Sequence, residues 1–268
     1  MLIKKLSGNS GCDIQLLKNN NSIFVRKISG ATSYNERLKY QVEKQINFSK
    51  IDNGIFTPEV YDAGINSNGL YYFDMEYIHG NIFSDYIRHN DINSIKPISK
   101  KILKFLNRET VEKFDATKKI VKKIDSLPNI DKNTRSIILN TNWSSTPKSF
   151  CHGDLTFENM IVSNGKLYLI DFLDSFVNTG LIDIGKLIFD IRYFWSHRNC
   201  DKKSQAIIRN IFFEKLLSNL PVYIEHENKI NCLVIMSIIR IIPYIPDDNI
   251  TLKKYLNRCL KNATKHKK

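Results

Sequence analysis

Three residues, Asp154, Asn159 and Asp171, have types and spacing suited to chemistry on a phosphate. Asp154 and Asn159 lie on one stretch, His152-Gly153-Asp154-Leu155-Thr156-Phe157-Glu158-Asn159, and Asp171 closes Leu167-Tyr168-Leu169-Ile170-Asp171 after a short turn. An aspartate five residues before an asparagine on one loop lets the carboxylate face an acceptor hydroxyl while the amide oxygen faces a cation. A second aspartate from a neighbouring strand then completes an oxygen shell of the kind magnesium takes. The pattern is that of metal-dependent phosphoryl transfer. Asp and Asn are also common turn and cap residues, so the combined spacing carries the reading and His-Gly-Asp alone would not.

The elements around these residues must bring them together. Asn164-Gly165 is a strong two-residue hairpin signal between Met160-Ile161-Val162 and Leu167-Tyr168-Leu169-Ile170, so the chain doubles back and returns Asp171 toward Asn159. On these residues the sequence resembles the aminoglycoside phosphotransferase and choline kinase family, relatives of protein kinases. That family's catalytic loop reads His-Gly-Asp, four residues, Asn, with Ile-Asp downstream, and both motifs are matched here. The resemblance implies that Asp154 is the catalytic base, that Asn159 and Asp171 are magnesium ligands, that His152 braces the loop, and that ATP and Mg2+ are the cofactors.

Composition is compatible with this. The chain has 268 residues, 42 % of them apolar, enough for one large or two smaller cores. Five scattered cysteines without Cys-x-x-Cys spacing indicate neither a disulfide framework nor a zinc site, which suits a reducing, cytoplasmic compartment. No secretory signal is visible near Met1–Leu6. The apolar run Cys232 to Ile242, interrupted by Arg240 and stopped by Pro243, is too short to span a bilayer and reads as a buried helix. The formal charge of +13 accompanies lysines spread over helix faces without interleaved aromatics, so no nucleic-acid partner is expected. The Lys253–Lys268 tail and the basic residues Lys118, Lys119, Lys122 and Lys123 leave peripheral contact with an anionic surface open, against the simpler reading of solvated faces.

The first part of the chain reads as a small sheet with one helix. Leu2–Leu6, Ile14–Leu17 and Ile23–Ser29 are strand-like, the last two separated by Lys18-Asn19-Asn20-Asn21. Between the first pair, Ser7-Gly8-Asn9-Ser10-Gly11 offers small residues, Gly8, Ser10 and Gly11 among them, whose amides suit a phosphate; an ordinary turn would look the same. The resemblance places a phosphate-neutralising lysine at Lys27, and strand alternation lets only one of Lys27 and Arg26 face a nucleotide, with Lys27 preferred. Ser33-Tyr34-Asn35-Glu36 has the form of a capping box opening a helix with a Tyr34, Leu38, Val42, Ile46 stripe. Of its acidic residues Glu36 and Glu43, Glu43 is the expected partner of Lys27, the alternative being a solvent pair with Lys39.

Val60–Ala63 and Leu70–Tyr77 form two further strands around Asn68-Gly69, and Met75-Glu76-Tyr77-Ile78-His79-Gly80 resembles the hinge, with Glu76 and Ile78 facing the adenine edge. Beyond Gly80 the texture turns helical: Ile98, Ile102, Phe105 and Leu106 share one face, as do Phe114, Thr117, Val121 and Ile124. Asp183, Lys186 and Asp190 stand at helical spacing, either as supports of the catalytic loop or as a surface ladder of opposite charges. Asp174 either braces the loop or touches magnesium.

The expectation is an α+β, two-lobed protein-kinase-like fold: a nucleotide-binding lobe over residues 1–78 with a small antiparallel sheet, and a mainly helical lobe over 79–268 with the catalytic hairpin. The expected activity is transfer of the terminal phosphoryl group of ATP to a hydroxyl of a small molecule, foremost a sugar or related polyol. Choline or amino-alcohol and aminoglycoside kinases are the alternatives, and a catalytically inactive kinase-like scaffold is the reading from another class. A protein kinase would carry Asp-Phe-Gly and Ala-Pro-Glu, whereas Phe172-Leu173-Asp174 follows Asp171 here.

Overall fold

The structure, a computed structural model, describes residues 1–6, 11–19, 22–51, 54–108, 112–127, 130–199, 215 and 220–265. Gly8 and Ser10 of the expected phosphate loop, Asn20-Asn21, Cys200 and residues 266–268 lie outside the described residues. The chain forms two compact units, Met1–Tyr86 with Glu158–Asp174, and Ile87–Phe157 with Ser175–Lys268. The hairpin bearing Asn159 and Asp171 thus clusters with the first unit, whereas the sequence reading grouped it with the helical part.

The first unit is built on an antiparallel sheet of β1 (Leu2–Leu6), β2 (Asp13–Lys18), β3 (Ile23–Ile28), β4 (Val60–Ile65) and β5 (Tyr71–Glu76), in the order β1-β2-β3-β5-β4. Alternation along β3 buries Val25 and Lys27 and sends Arg26 to the opposite face. There Arg26 makes two 2.7 Å hydrogen bonds to the carboxylate of Asp74, its cross-strand partner, with Tyr72 beneath the guanidinium. The sheet therefore separates the two cations.

Helix α1 (Asn35–Ser49) buries Leu38, Gln41, Val42, Gln45 and Phe48, with Leu38 and Val42 clustered with Phe73 of this sheet. That stripe corrects the expected one, for Ile46 is exposed. Spacings of 3 and 4 must alternate to follow a 3.6-residue turn, and three successive steps of 4 drift off the face. The expected capping box is also absent. A 3-10 turn over Thr32–Tyr34 precedes the helix, its N-cap is Tyr34, and Ser33 caps nothing. Asn35 ties the helix start to the sheet instead, accepting from Ser29 Oγ and, at 2.8 Å, from the Tyr71 amide, while donating to the Gly69 carbonyl at 2.8 Å.

A second, three-stranded sheet of the same unit joins β6 (Asn81–Ile82), β9 (Met160–Ser163) and β10 (Lys166–Leu169). Asn164 and Gly165 both take positive φ, 48° and 70°, as a type I′ turn demands. Phe56 exchanges 2.8 Å backbone hydrogen bonds with Leu167 and Leu169, which fastens the hairpin to this unit.

The second unit is helical among its described residues. It holds α3 (Ile92–Leu106), α4 (Thr117–Asp125), α5 (Lys132–Leu139), α6 (Leu181–Tyr193), α7 (Pro221–Ile241) and α8 (Ile250–Lys265); α2 (Phe83–His89) precedes them. The short pair β7 (Lys113–Phe114) and β8 (Thr146–Pro147) completes it. α3 buries Ile98, Ile102, Phe105 and Leu106 as expected. α4 buries Ile124 as expected, but its other buried residue is Ile120, because Phe114 belongs to β7, the helix starts at an exposed Thr117 and Val121 is only half-buried. In α7 every residue from Cys232 to Ile239 is buried. Among the described residues no helix is long and apolar enough to cross a membrane.

Candidate functional site

The site residues of the second unit sit on a loop clamped by one helix. α6, Leu-Ile-Asp-Ile-Gly-Lys-Leu-Ile-Phe-Asp-Ile-Arg-Tyr, is buried at all but one of its positions, so its polar residues need internal partners. They find them along the loop of residues 152–157. Asp183, without exposed surface, accepts the His152 amide at 2.7 Å and the Gly153 amide at 2.8 Å. Lys186 Nζ lies 2.7 Å from Asp154 Oδ1, and Asp190 accepts the Phe157 amide at 2.7 Å. Asp190 also accepts from the Ser196 amide and hydroxyl, at 2.7 and 2.6 Å. The positions i, i+3 and i+7 are thus a buried polar rail supporting residues 152–157, and the alternative of a surface charge ladder is excluded.

The loop itself is bent to fit. Gly153 holds φ at 94°, a value open to glycine and strained for other residues. Buried His152 turns Nδ1 to accept the Asp154 amide at 3.2 Å, which makes it a brace within the loop. Burial works against ionisation of Asp154. The charge and hydrogen bond of Lys186 outweigh it, aided by His152 and Arg240, and hold the carboxyl below its ordinary value. The Asp154 carboxyl is therefore held toward its ionised form. Arg108 donates to the Phe105 carbonyl at 2.7 Å and the Phe150 carbonyl at 3.4 Å; burial pushes its pKa down, against the pull of Asp183.

In the first unit, Lys27 is 4 % exposed and forms an ion pair with Asp171. Burial would lower the Lys27 pKa, but the charge and hydrogen bond of Asp171 raise it above the usual lysine value. Asp171 sits at φ 62°, an uncommon conformation for a non-glycine residue. The turn brings Asp171 next to Asn159, because the Ile170 amide donates to the Asn159 carbonyl at 3.0 Å. The segment after Asp171 is held to α1 by Phe172 against Phe48 and by Lys44 donating to the Leu173 carbonyl at 2.6 Å.

Other expected site residues fare differently. Glu43 is exposed on α1 and does not meet Lys27; the buried polar side chains of that helix are Gln41 and Gln45. The Glu76 amide is committed to the Glu59 carbonyl at 2.8 Å, so it is not open to a nucleotide. Ile78 has a buried side chain, and its amide and carbonyl make no hydrogen bond among the described residues. Gly11 keeps φ at 72°, its carbonyl so close to Gly30 that a Cβ there would lie 2.0 Å away. Asp174 is exposed. Sequence reasoning missed the partnerships of Lys186 with Asp154 and of Asp190 with Phe157. The available signal was three charged residues inside an otherwise apolar helix.

The donor set fits magnesium. A partly exposed carboxylate, Asp171, and the amide of Asn159 are hard oxygen ligands, and magnesium binds through one or two carboxylates with the remaining positions left to water and phosphate. Among the described residues no group of three or more His, Cys, Asp or Glu side chains could hold a metal ion.

A family model described as "Phosphotransferase enzyme family" matches residues 126–209, less than half of the chain. The chain superposes on aminoglycoside phosphotransferase APH(4)-Ia with a TM-score of 0.67 at 9 % identity, covering 99 % of this chain and 93 % of that one. The fold is protein-kinase-like. A structure of APH(2")-IIIa with GDP and kanamycin gives a TM-score of 0.64 at 11 % identity over 100 % of this chain and 95 % of that one. Choline kinase LicA from Streptococcus pneumoniae gives 0.55 at 19 % identity over 99 % and 93 %. The two-lobed α+β architecture, a small antiparallel sheet and a helical lobe, is common to these proteins and this chain. No curated protein matches the chain significantly.

Proposed function

We propose that the protein is an ATP-dependent phosphotransferase acting on a hydroxyl of a small molecule, foremost a sugar or related polyol. The observation that carries this reading is Asp154: an ionised carboxylate beside Lys186, on a loop whose amides are clamped by Asp183 and Asp190. A general base must be fixed in place and unprotonated at the working pH, and these contacts supply both conditions. The kinase-like fold, related to aminoglycoside and choline phosphotransferases, supports phosphoryl transfer as the general reaction.

In the proposed reaction Asp154 orients the acceptor hydroxyl and takes its proton. The acceptor oxygen bonds to the terminal phosphorus as the bond to the bridging oxygen breaks, and ADP leaves. Lys27 places a buried positive charge against the donor phosphates. Asn159 and Asp171 would hold magnesium, which when bound supplies Lewis-acid neutralisation of those phosphates. The unengaged amide and carbonyl of Ile78 are suited to an adenine edge.

The test is ADP release from magnesium-ATP across a panel of sugars, amino alcohols and aminocyclitols, with the Asp154→Asn protein alongside. Acceptor-dependent release by the parent alone is the expected result. Release by neither protein, or equally by both, would overturn the proposal.

A further inference from the structure

We propose that the acceptor carries an anionic group, a carboxylate or a phosphate monoester, and that Arg240 receives it. The assignment rests on the phosphotransfer reading above and concerns the acceptor side of the same site.

The argument starts from how α6 and α7 pack. Gly185 lies against Leu233, so closely that a Cβ on Gly185 would be 3.1 Å from the Leu233 Cβ. Lys186, the next residue, holds Asp154. Seven residues beyond Leu233, about two helical turns, Arg240 reaches Phe176, just before the start of α6, with its guanidinium 5.7 Å from the ring centroid. The helices therefore run antiparallel, and the last turn of α7 delivers a cation to the end of α6 where the catalytic loop is fixed.

Arg240 is the one charged residue after a fully buried run from Cys232 to Ile239, and it is itself only half-buried. Placed on an aromatic face, its planar fork is pre-oriented, which suits two-point recognition of a carboxylate or phosphate. Asp154 feels this charge as well as that of Lys186, and both act in the same sense.

Electrostatics then sorts the acceptors. The negative charge of Asp154 is already offset by Lys186 at 2.7 Å, so little attraction remains for an ammonium group. Arg240 adds repulsion against a choline or a polyamino sugar and attraction for an anion.

The experiment compares four forms of one polyol skeleton, neutral, carboxylate, phosphate monoester and amino, as acceptors for the parent, Arg240→Gln and Arg240→Lys. The parent should favour an acidic form, and the carboxylate and phosphate arms say which. Arg240→Gln should raise KM for that acceptor about tenfold or more, a larger change than in kcat or in the KM for magnesium-ATP, and the rise should be confined to the acidic acceptor. Arg240→Lys should recover part of the loss. The parent's own preference is informative even if a variant fails to fold: transfer favouring the neutral or amino form would overturn the assignment and leave phosphotransfer standing. An equal loss on all four acceptors in Arg240→Gln would also overturn it. No transfer to any of the four would remove the phosphotransfer reading and this assignment together.

Discussion

Asp183→Asn tests whether the buried rail of α6 is what holds the loop of residues 152–157. In the parent both carboxylate oxygens are occupied, by the His152 amide at 2.7 Å and the Gly153 amide at 2.8 Å, at a residue with no exposed surface. Asparagine keeps the shape and one acceptor, but its NH2 group then faces an amide donor. One charge-assisted bond is lost, a change of about 1.5–3 kcal/mol, and a buried N–H without a partner adds about 1–3 kcal/mol, partly the same energy counted again. A destabilisation of about 3 kcal/mol follows, corresponding to a melting temperature lower by about 6–12 °C for a domain of this size. Scanning calorimetry of the parent and the variant measures it. Turnover should fall even well below the new midpoint, because Asp154 follows Gly153 directly. A variant melting within about 2 °C of the parent, with unchanged turnover, would refute the claim that Asp183 positions the loop.

Further outcomes follow from other contacts. Replacing Lys186 by Gln removes the strongest opposition to burial at Asp154, so its pKa rises and the acidic limb of the kcat/KM profile moves to higher pH; an unmoved limb would break the link. The same depressed Asp154 pKa adds stability above its unfolded value that is lost as pH falls through the folded one, so the parent's advantage over Lys186→Gln should shrink on acidification. Asn35→Ala should cost about 2 kcal/mol in urea unfolding and Ser33→Ala less than about 0.5 kcal/mol; the reverse order would restore the capping box. Asp154→Asn should retain nucleotide binding with turnover reduced about a thousandfold or more. Asp171→Asn should instead weaken magnesium-dependent nucleotide binding in calorimetry, and full activity of either protein would refute its role.

Part of this protein was legible in local pattern alone. The type I′ turn at Asn164-Gly165 needs only two residues tolerant of positive φ between apolar strands, and the return of Asp171 to Asn159 follows from it. The strand alternation of Ile23–Ile28 and the buried stripe of α3 were equally readable, because period and polarity act within a few residues. The start of α1 was not, since Asn35 is spent on Tyr71 and Gly69, whose positions depend on the sheet. Nor was the partner of Lys27, because whether Glu43 or Asp171 meets it turns on the rotation of α1 over β3.

The amino-acid sequence by itself determined the candidate site residues, Asp154, Asn159, Asp171 and Lys27, and the hairpin and strands that present them. Tertiary structure alone decided that Asp183, Lys186 and Asp190 face inward, that Arg26 belongs to Asp74, and that Arg240 lies on Phe176. The reason is one of range. Backbone sterics and side-chain periodicity are set by neighbours in the chain, whereas a charged side chain spaced for a helix face fits solvent and a buried loop equally well until packing places a partner beside it.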